Sequence, residues 1–271
     1  MTIKTEFLPI KRYWRRDARL VEMQDELVLE TPLEIFIQDM PYSSTMRLPG
    51  DDLYLVQGFL FTEGLISSLQ DIRSMQHCQQ RAGENRVLVE LEQTSAWLQS
   101  LQDKDMQAHS TFSSCGLCGR IDLHTWLARQ EQVPDSGWRV AAAELLHLQE
   151  ALESRMEIFN RSGGTHAVLL YGPKLEELAF AEDVGRHNAL DKAAGQVLAC
   201  NMREQCALGL VSSRLSLEMV LKAARLGLQV LAGLSAATTL AVHTAHSLNM
   251  TLIGFLRPER MNIYCHGRRL Y

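Results

Sequence analysis

The sequence lacks an apolar segment at its N-terminus, and this bears on its cellular location. The first twenty residues are instead rich in charge and contain no apolar h-region of a signal peptide. Six cysteines in 271 residues are too few for a disulfide scaffold, so we expect reduced thiols and a cytoplasmic protein. Internal repeats and low-complexity tracts are also absent. We interpret the basic N-terminal run as a solvated tail.

Residues 227–256 contain no acidic or basic residue, and such a stretch raises the question of a membrane span. Hydroxyl, amide and histidine side chains interrupt it, so a buried strand–helix–strand unit fits better than a lipid-spanning helix. The chain is 46% hydrophobic with a net charge of −5, which allows a substantial core and argues against nucleic-acid binding. The expected partners therefore include neither nucleic acid nor membrane.

Four familiar site motifs are missing from the chain. It has neither a Walker A sequence nor G-x-G-x-x-G, which excludes the two common nucleotide cradles. No histidine is followed two residues later by glutamate, which excludes the zinc deaminases. A second C-x-x-C is absent too, and this disfavours structural zinc. We expect no metal site.

The stretch TFSSCGLCGR, residues 111–120, is the strongest chemical signal that is present. It places Cys115 and Cys118 one helical turn apart, with Gly116 and Gly119 loosening the backbone around them and Arg120 nearby. A thiol is a nucleophile only when ionised, and exposure near a positive charge favours the thiolate. This pattern predicts sulfur chemistry on a mobile loop, although a thioredoxin-like redox pair remains an alternative.

The hydrophobic pattern predicts an α/β fold. Short strands are expected at 27–29, 33–37 and 87–91, with a helix over 53–60 that stops at Gly64. Residues 130–137 are polar and separate an N-terminal portion, 1–137, from a C-terminal portion, 138–271, unless the two form one continuous domain. A helix over 141–159 then precedes alternating strands and helices, which predict a mainly parallel sheet flanked by helices. The strands are expected at 167–171, 178–181, 208–211, 229–231, 251–256 and 262–264, and the helices at 188–200, 217–226 and 239–248.

Ligands bind outside the carboxyl ends of the strands in such sheets. The residues expected there include hydroxyls and arginines, which together predict an anion site for phosphates. Each serine alone is more simply a turn or cap residue. The set comprises Ser212, Ser213, Arg214, Ser235, Arg257 and Arg260.

Two polar clusters accompany these strand ends. RSGGTH, residues 161–166, precedes a strand, and its Gly163 and Gly164 allow close backbone approach to a ligand or another chain. EDVGRHN, residues 182–188, follows a strand and opens a helix, with Asn188 as the expected N-cap. His187 in the second cluster is a candidate site residue, because so many polar groups are unusual for a plain turn.

Together, these stretches resemble the FdhD family, the formate dehydrogenase accessory sulfurtransferases. The resemblance rests on TFSSCGLCGR, RSGGTHAV, EDVGRHNALDK and GFLRPERMNIY, with LPGDD and GFLFTEGLI earlier in the chain. It spans residues 48–264. The family implies a cytidine-deaminase-like layered fold, a homodimer and a cytoplasmic location.

The resemblance also implies an activity. A cysteine desulfurase would load sulfur as a persulfide onto Cys115, with Cys118 in an undecided role. The protein would pass that sulfur to the molybdenum (or tungsten) bis-molybdopterin guanine dinucleotide cofactor of formate dehydrogenase, and guanine nucleotides would mimic part of this cofactor. The implied cofactor-binding segment is Gly254, Phe255, Leu256, Arg257, Pro258, Glu259 and Arg260. A C-x-x-C redox regulator with a guanine-nucleotide pocket and a nucleotide-converting enzyme remain as rivals.

Overall fold

The computed structural model describes residues 2–78, 85–92 and 131–271. The loop 109–120, with Cys115 and Cys118, and the segment 121–128 lie outside the described residues. The strands are β1 (Thr5–Trp14), β2 (Arg19–Val28), β3 (Thr31–Ile37), β4 (Met40–Arg47), β5 (Ile72–Cys78), β6 (Arg86–Leu91), β7 (His166–Tyr171), β8 (Glu177–Asp183), β9 (Leu208–Val211), β10 (Val230–Gly233), β11 (Thr251–Arg257) and β12 (Arg260–Cys265). The helices are α1 (Asp52–Thr62), α2 (Ala142–Arg155), α3 (Glu157–Ser162), α4 (Arg186–Ala199), α5 (Leu217–Arg225) and α6 (Thr239–Ser247).

The N-terminal run is a β-hairpin, and the prediction of a solvated tail is wrong. Strands β1 and β2 pair in antiparallel register along their whole length, from Thr5 opposite Val28 to Trp14 opposite Arg19. The charges of the run lie on the surface of this two-stranded ribbon. No side chain in residues 2–28 is buried, so the hairpin stands outside the core.

A four-stranded sheet follows the hairpin, in the order β4-β3-β6-β5. Strand β3 pairs antiparallel with β4 and parallel with β6. Its Leu33, Ile35 and Ile37 alternate onto the core face, as the period of two predicts. Helix α1 begins after Asp51 and ends where Gly64 adopts a φ of 78°, which confirms the predicted stop.

The six-stranded sheet has the order β12-β11-β10-β9-β7-β8. Its three central strands, β9, β10 and β11, are parallel as predicted. Strand β7, however, runs antiparallel to both β8 and β9, and β12 antiparallel to β11. The α/β prediction is confirmed, but the sheet is mixed, because β7 and β8 form a hairpin through a short turn that leaves no room for a crossover helix.

Helices cover both faces of this sheet. One cluster of buried side chains contains residues from both sheets and from helices α1, α4, α5 and α6. A second cluster packs helix α2 against the opposite face, with Leu145 and Leu152 meeting Leu169 and Leu208. The first cluster crosses the predicted boundary at 137, so the two portions share a core.

Helices α1 and α4 cross at backbone contact, and two glycines make this possible. A Cβ on Gly195 would lie 1.9 Å from the carbonyl oxygen of Tyr54, and one on Gly58 would lie 1.8 Å from that of Asp191. No side chain fits in either place. The crossing packs α1 against the EDVGRHNALDK motif, which includes the start of α4.

Two boundaries differ from prediction. The helix predicted over 141–159 divides at Met156, because the Glu182 carboxylate accepts hydrogen bonds from the backbone N–H groups of Ile158 (3.2 Å) and Phe159 (3.1 Å) and so caps α3. Asn188 is not the N-cap of α4, since the helix begins after Gly185. Among the described residues, no helix is long and apolar enough to cross a membrane.

Candidate functional site along one sheet edge

The topology brings the predicted binding residues to one edge of the six-stranded sheet. Strands β8, β9, β10 and β11 end at this edge, while β7 and β12 begin there, because each runs antiparallel to its neighbours. The predicted set therefore shares the edge: Gly163, Gly164, Ser212, Ser213, Ser235, His187 and the segment 254–260. Helices α4, α5 and α6 also begin there, which favours anions.

The edge is wide. Five strand spacings separate β8 from β12, and neighbouring strands lie about 4.8 Å apart, so the polar groups extend over about 24 Å. A single phosphate would occupy only a fraction of this length. The arrangement suits an elongated ligand with several polar groups.

The segment 254–260 has an irregular backbone. The register of β11 against β12 shifts between Gly254 and Arg257, and Phe255 has a φ of 51° with its side chain 39% exposed. A positive φ is unfavourable for an aromatic residue, and such strain is concentrated at functional sites. Pro258, Glu259 and Arg260 are exposed, whereas the Leu256 side chain is fully buried, so only the backbone of Leu256 can face a ligand.

Ser235 and Arg257 lie together on this edge. The Ser235 carbonyl accepts a hydrogen bond from the Phe255 N–H (3.0 Å), and a Cβ on Gly254 would lie 2.9 Å from the same oxygen. The Arg257 Nη1 donates to the carbonyls of Leu234 and Leu256, both at 2.7 Å. These bonds fix an exposed guanidinium at the end of β11, beside the loop after β10.

Several predicted residues have structural partners of their own. The Ser212 hydroxyl accepts a hydrogen bond from the Ala167 N–H (2.9 Å) and joins β9 to β7, and the buried Ser213 hydroxyl donates to the Arg214 carbonyl. Gly163 ends α3 with a φ of 69°. A Cβ on Gly164 would lie 2.5 Å from the Val28 side chain, so only glycine leaves room here for Val28 at the base of the hairpin.

The EDVGRHNALDK motif is largely a structural clamp. Asp183 is fully buried, pairs with Lys192 (2.8 Å) and accepts a hydrogen bond from the Leu48 N–H (3.1 Å). The Lys192 Nζ also donates to the Leu48 carbonyl (2.8 Å), and Asn188 donates to the Met46 carbonyl (2.7 Å). These contacts hold the end of β4 against the start of α4.

A second buried ion pair joins three helices. The Lys222 ammonium of α5 lies 2.9 Å from the Asp191 carboxylate of α4 and 2.9 Å from Glu63, just after α1. The Thr62 hydroxyl donates to Asp191 at 2.7 Å. Burial opposes the charge on Lys222, but the two carboxylates raise its pKa. This lysine therefore stays protonated and anchors α5 beside α4.

Two side chains of the motif retain unpartnered polar atoms. The Nε2 of His187 and the Nε of Arg186 are buried and have no hydrogen-bond partner within the described part of the chain. Burial, with the nearby charges of Arg186 and Lys222, lowers the pKa of His187 to about 4, so the imidazole is neutral at pH 7. It lines a small pocket together with Ser43 and Thr45.

The sequence analysis included Arg186 in the EDVGRHN cluster but singled out only its neighbour His187. His166 begins β7 at the same edge, and burial followed by the charges of Arg186 and Arg214 lowers its pKa. The two arginines therefore lie close enough to influence one imidazole. His166, Arg186 and Arg214 share this edge because β7 begins where β8 and β9 end. The sequence would have indicated this group of charges only if the antiparallel direction of β7 had been known.

The cysteines within the described ranges do not form a site. Cys206 and Cys265 are buried, and burial raises the pKa of both thiols, that of Cys206 to about 12. Cys200 is exposed just after α4, and Cys78 is half-buried at the end of β5. No group of three or more potential metal ligands occurs in residues 2–78, 85–92 and 131–271.

Comparison with known proteins gives consistent matches. A curated protein of Anaeromyxobacter sp. (strain K), "Sulfur carrier protein FdhD", is 37% identical over 258 residues, which cover 92% of this chain and 89% of that protein. The protein of the same name from Saccharolobus solfataricus is 35% identical over 266 residues, covering 94% and 95%.

A solved structure shares the fold. The crystal structure of a putative formate dehydrogenase accessory protein from Desulfotalea psychrophila superposes with a TM-score of 0.77 at 23% identity, over 99% of this chain and 100% of that one. The sequence profile of the FdhD/NarQ family matches residues 28–271. The chain therefore belongs to the FdhD/NarQ family.

Proposed function

We propose that this protein is a sulfur carrier that serves formate dehydrogenase. In this proposal, Cys115 accepts persulfide sulfur from a cysteine desulfurase. The protein then transfers the sulfur to the bis-molybdopterin guanine dinucleotide form of the molybdenum cofactor, before that cofactor enters the enzyme. The two curated relatives described above, both named as sulfur carriers, support the general role, and the motif TFSSCGLCGR supports the choice of residue.

The proposed chemistry is thiol–disulfide exchange in kind. The Cys115 thiolate attacks the outer sulfur of the donor persulfide, a new S–S bond forms, the old one breaks, and the desulfurase thiolate leaves. In the second step, the outer sulfur passes to the metal centre of the cofactor, and the Cys115 thiolate leaves. Sulfur moves at the sulfane level in the first step, so no oxidant or reductant is needed there. In the second step the sulfane atom becomes a sulfide ligand, and the two electrons that this takes would come from the metal centre of the cofactor in its reduced form.

The single observation that carries the proposal is the gathering of polar groups along one sheet edge. Three helices begin there, and the exposed Arg257 and Arg260 lie at its end. A dinucleotide cofactor has several phosphates and is elongated, which matches a strip about 24 Å long. The strained backbone at Phe255 and the close approach at Gly254 support a ligand in contact with the main chain there.

Isotope transfer tests the sulfur step. The protein is incubated with a cysteine desulfurase and ³⁵S-cysteine, and the label is then mapped by mass spectrometry of peptides under non-reducing conditions. We expect label on Cys115 and none in Cys115→Ala. Cys118→Ala is the matched control, because it removes the neighbouring thiol from the same loop. Full loading of Cys115→Ala would contradict the assignment.

Nucleotide binding tests the cofactor edge. We expect GDP to bind and Arg257→Ala to weaken the binding at least tenfold, since a charge-assisted hydrogen bond contributes about 1.5–3 kcal/mol. Lys174→Ala, on the turn between β7 and β8 at the opposite edge, removes an exposed positive charge and serves as the control. Equal affinities of the wild type and Arg257→Ala in calorimetry would remove Arg257 from the site.

The rival hypothesis is a thiol–disulfide regulator with a guanine-nucleotide pocket. The two differ in the product on the C-x-x-C pair: a carrier accumulates Cys115 persulfide, whereas a regulator accumulates a Cys115–Cys118 disulfide. Intact-mass measurement separates them, because a persulfide adds about 32 Da and a disulfide removes about 2 Da. We also expect a cytoplasmic homodimer, and sedimentation equilibrium measures its mass.

A further inference from the structure

The N-terminal hairpin, residues 5–28, exposes apolar side chains that the sheet-edge site does not use. Phe7, Tyr13 and Leu20 are 64%, 60% and 64% exposed. Residues 7 and 13 have the same parity in β1, and Leu20 is directly opposite Tyr13, so the three share one face. The Lys11–Glu22 ion pair separates Phe7 from the other two, so the apolar patch on this face is the Tyr13–Leu20 pair at the tip. Ten residues per strand make the ribbon about 34 Å long. An isolated two-stranded ribbon with such a face is marginal in water, which indicates a covering partner.

The end of the hairpin is positively charged. Lys11 and Arg12 pair with Glu22 and Asp25 on the opposite strand. The turn beyond them has Arg15, Arg16 and Arg19 against Asp17 alone. A partner that binds the ribbon should therefore have an acidic surface opposite this positive charge. Exposed Tyr13 and Leu20 lie beside these arginines, and aromatic residues together with arginine are typical of protein–protein interfaces, so a protein fits better than a nucleic acid or lipid headgroups.

The base of the hairpin adjoins the proposed cofactor edge. Val28, the last residue of β2, packs against Gly164, and Glu26 pairs with Arg161 of α3 at 3.4 Å. Both contacts lie in the RSGG segment just before β7, which begins at that edge. A partner that covers the ribbon is therefore held next to the cofactor. The family match begins only at residue 28, so the ribbon precedes the part of the chain that the family profile describes.

We propose that the hairpin is the docking site for the enzyme that receives the cofactor. The matching surface on that enzyme is an apolar patch with an acidic rim. The inference rests on the proposed function, because that function requires a receiving protein at the cofactor edge. In this assembly, Tyr13 and Leu20 enter the apolar patch and Arg15 and Arg16 face the acidic rim. The hairpin makes no contact with the cofactor.

The test measures binding of the full-length protein to purified, cofactor-free formate dehydrogenase by biolayer interferometry. We expect Tyr13→Ser/Leu20→Ser to weaken binding about thirtyfold, since removal of a central interface anchor has an effect of this size. Arg15→Glu/Arg16→Glu should weaken it at least tenfold at 50 mM salt and much less at 500 mM. Met40→Ser removes a side chain that is 53% exposed elsewhere, and Arg15→Lys/Arg16→Lys preserves the charge; both should bind as the wild type does.

Each other outcome overturns the docking proposal. Unchanged affinity of both hairpin variants would do so, as would loss of binding to the cysteine desulfurase instead. Loss of self-association with enzyme binding intact would assign the ribbon to a second copy of this chain. Salt-sensitive binding of the hairpin to duplex DNA or to phosphatidylserine vesicles, with no enzyme binding, would assign it to those partners.

The failure of this proposal is distinguishable from that of the proposed function. Sulfur loading of Cys115 and GDP affinity are measured on the same hairpin variants and should equal those of the wild type. Loss of enzyme binding with both retained supports the docking role. Absence of sulfur loading in the wild type contradicts the carrier function while leaving the binding measurement interpretable.

Discussion

Removal of the Lys192 ammonium is the sharpest test of how the motif stabilises the fold. Lys192→Met keeps most of the side-chain volume but leaves the Asp183 carboxylate without its cation. Asp183 is 0% and Lys192 1% exposed, so neither group can be solvated without opening the structure. The substitution also deprives the Leu48 carbonyl of the Lys192 ammonium as a donor.

The magnitude follows from these contacts. Removing one partner of a buried ion pair lowers the free energy of unfolding by about 3–5 kcal/mol. Asp183 keeps the N–H groups of Leu48 and Gly185 and the amide of Asn188 as donors, at 3.1, 2.9 and 3.2 Å, which offset part of the loss. We therefore expect about 3 kcal/mol, a large share of the 5–15 kcal/mol typical of a folded domain.

Urea unfolding followed by circular dichroism measures this loss. Asp183→Asn and the double variant complete a double-mutant cycle, in which the double variant should lose at least 1 kcal/mol less than the sum of the single variants. A loss below 1 kcal/mol for Lys192→Met, or a coupling energy near zero, would refute the reasoning. The Asp183–Lys192 ion pair would then not be the interaction that holds β4 against α4.

Three further predictions concern packing, titration and capping. Gly195→Ala should lower the free energy of unfolding by about 3 kcal/mol, because the new Cβ would clash with the Tyr54 carbonyl. Gly267→Ala is the control and should change stability little, since its Cβ would lie 3.3 Å from the nearest atom, a methyl carbon of Ile263. Equal urea midpoints of the two variants would contradict this. The pKa of His187 is lowered to about 4, so protonation favours the unfolded chain and stability falls as the pH drops from about 6.5 towards 4. Between pH 7 and pH 4.5, the wild type should therefore lose about 2–3 kcal/mol more than His187→Gln, and parallel profiles would contradict this. Glu182→Gln keeps only one acceptor oxygen for the three donors from Ile158, Phe159 and Thr165. The free energy of unfolding should therefore fall by about 1–2 kcal/mol, and the amides of residues 158 and 159 should exchange hydrogen faster. Unchanged exchange at these two amides would exclude the capping role.

Much of the C-terminal fold was predictable from the sequence, because its strands are short apolar runs between glycine and polar turns. The run 208–211 and the helix starts at Leu217 and Thr239 agree with the structure. Strand direction was not predictable for β7, since an apolar run reads the same in either direction. Only the turn at 172–176, too short for a crossover helix, indicates the hairpin.

The gathering of site residues was predictable where the strands are parallel. Ser212 and Ser235 follow two of the parallel strands and Arg257 ends the third, so the three lie at the same edge of the sheet. The clamp role of Asp183 and Lys192 was not predictable, because their partner is the backbone of Leu48, more than 130 positions earlier in the chain. The hairpin at 5–28 was missed because its apolar residues lie among many charges and serve no core.

The exposed thiol at Cys200 affects how the chemistry of this protein is followed. It lies at the far end of α4, a helix of fourteen residues and therefore about 21 Å from the edge where that helix begins. Alkylating reagents and stray polysulfide will modify it regardless of what happens at the loop. A Cys200→Ser background removes that false signal.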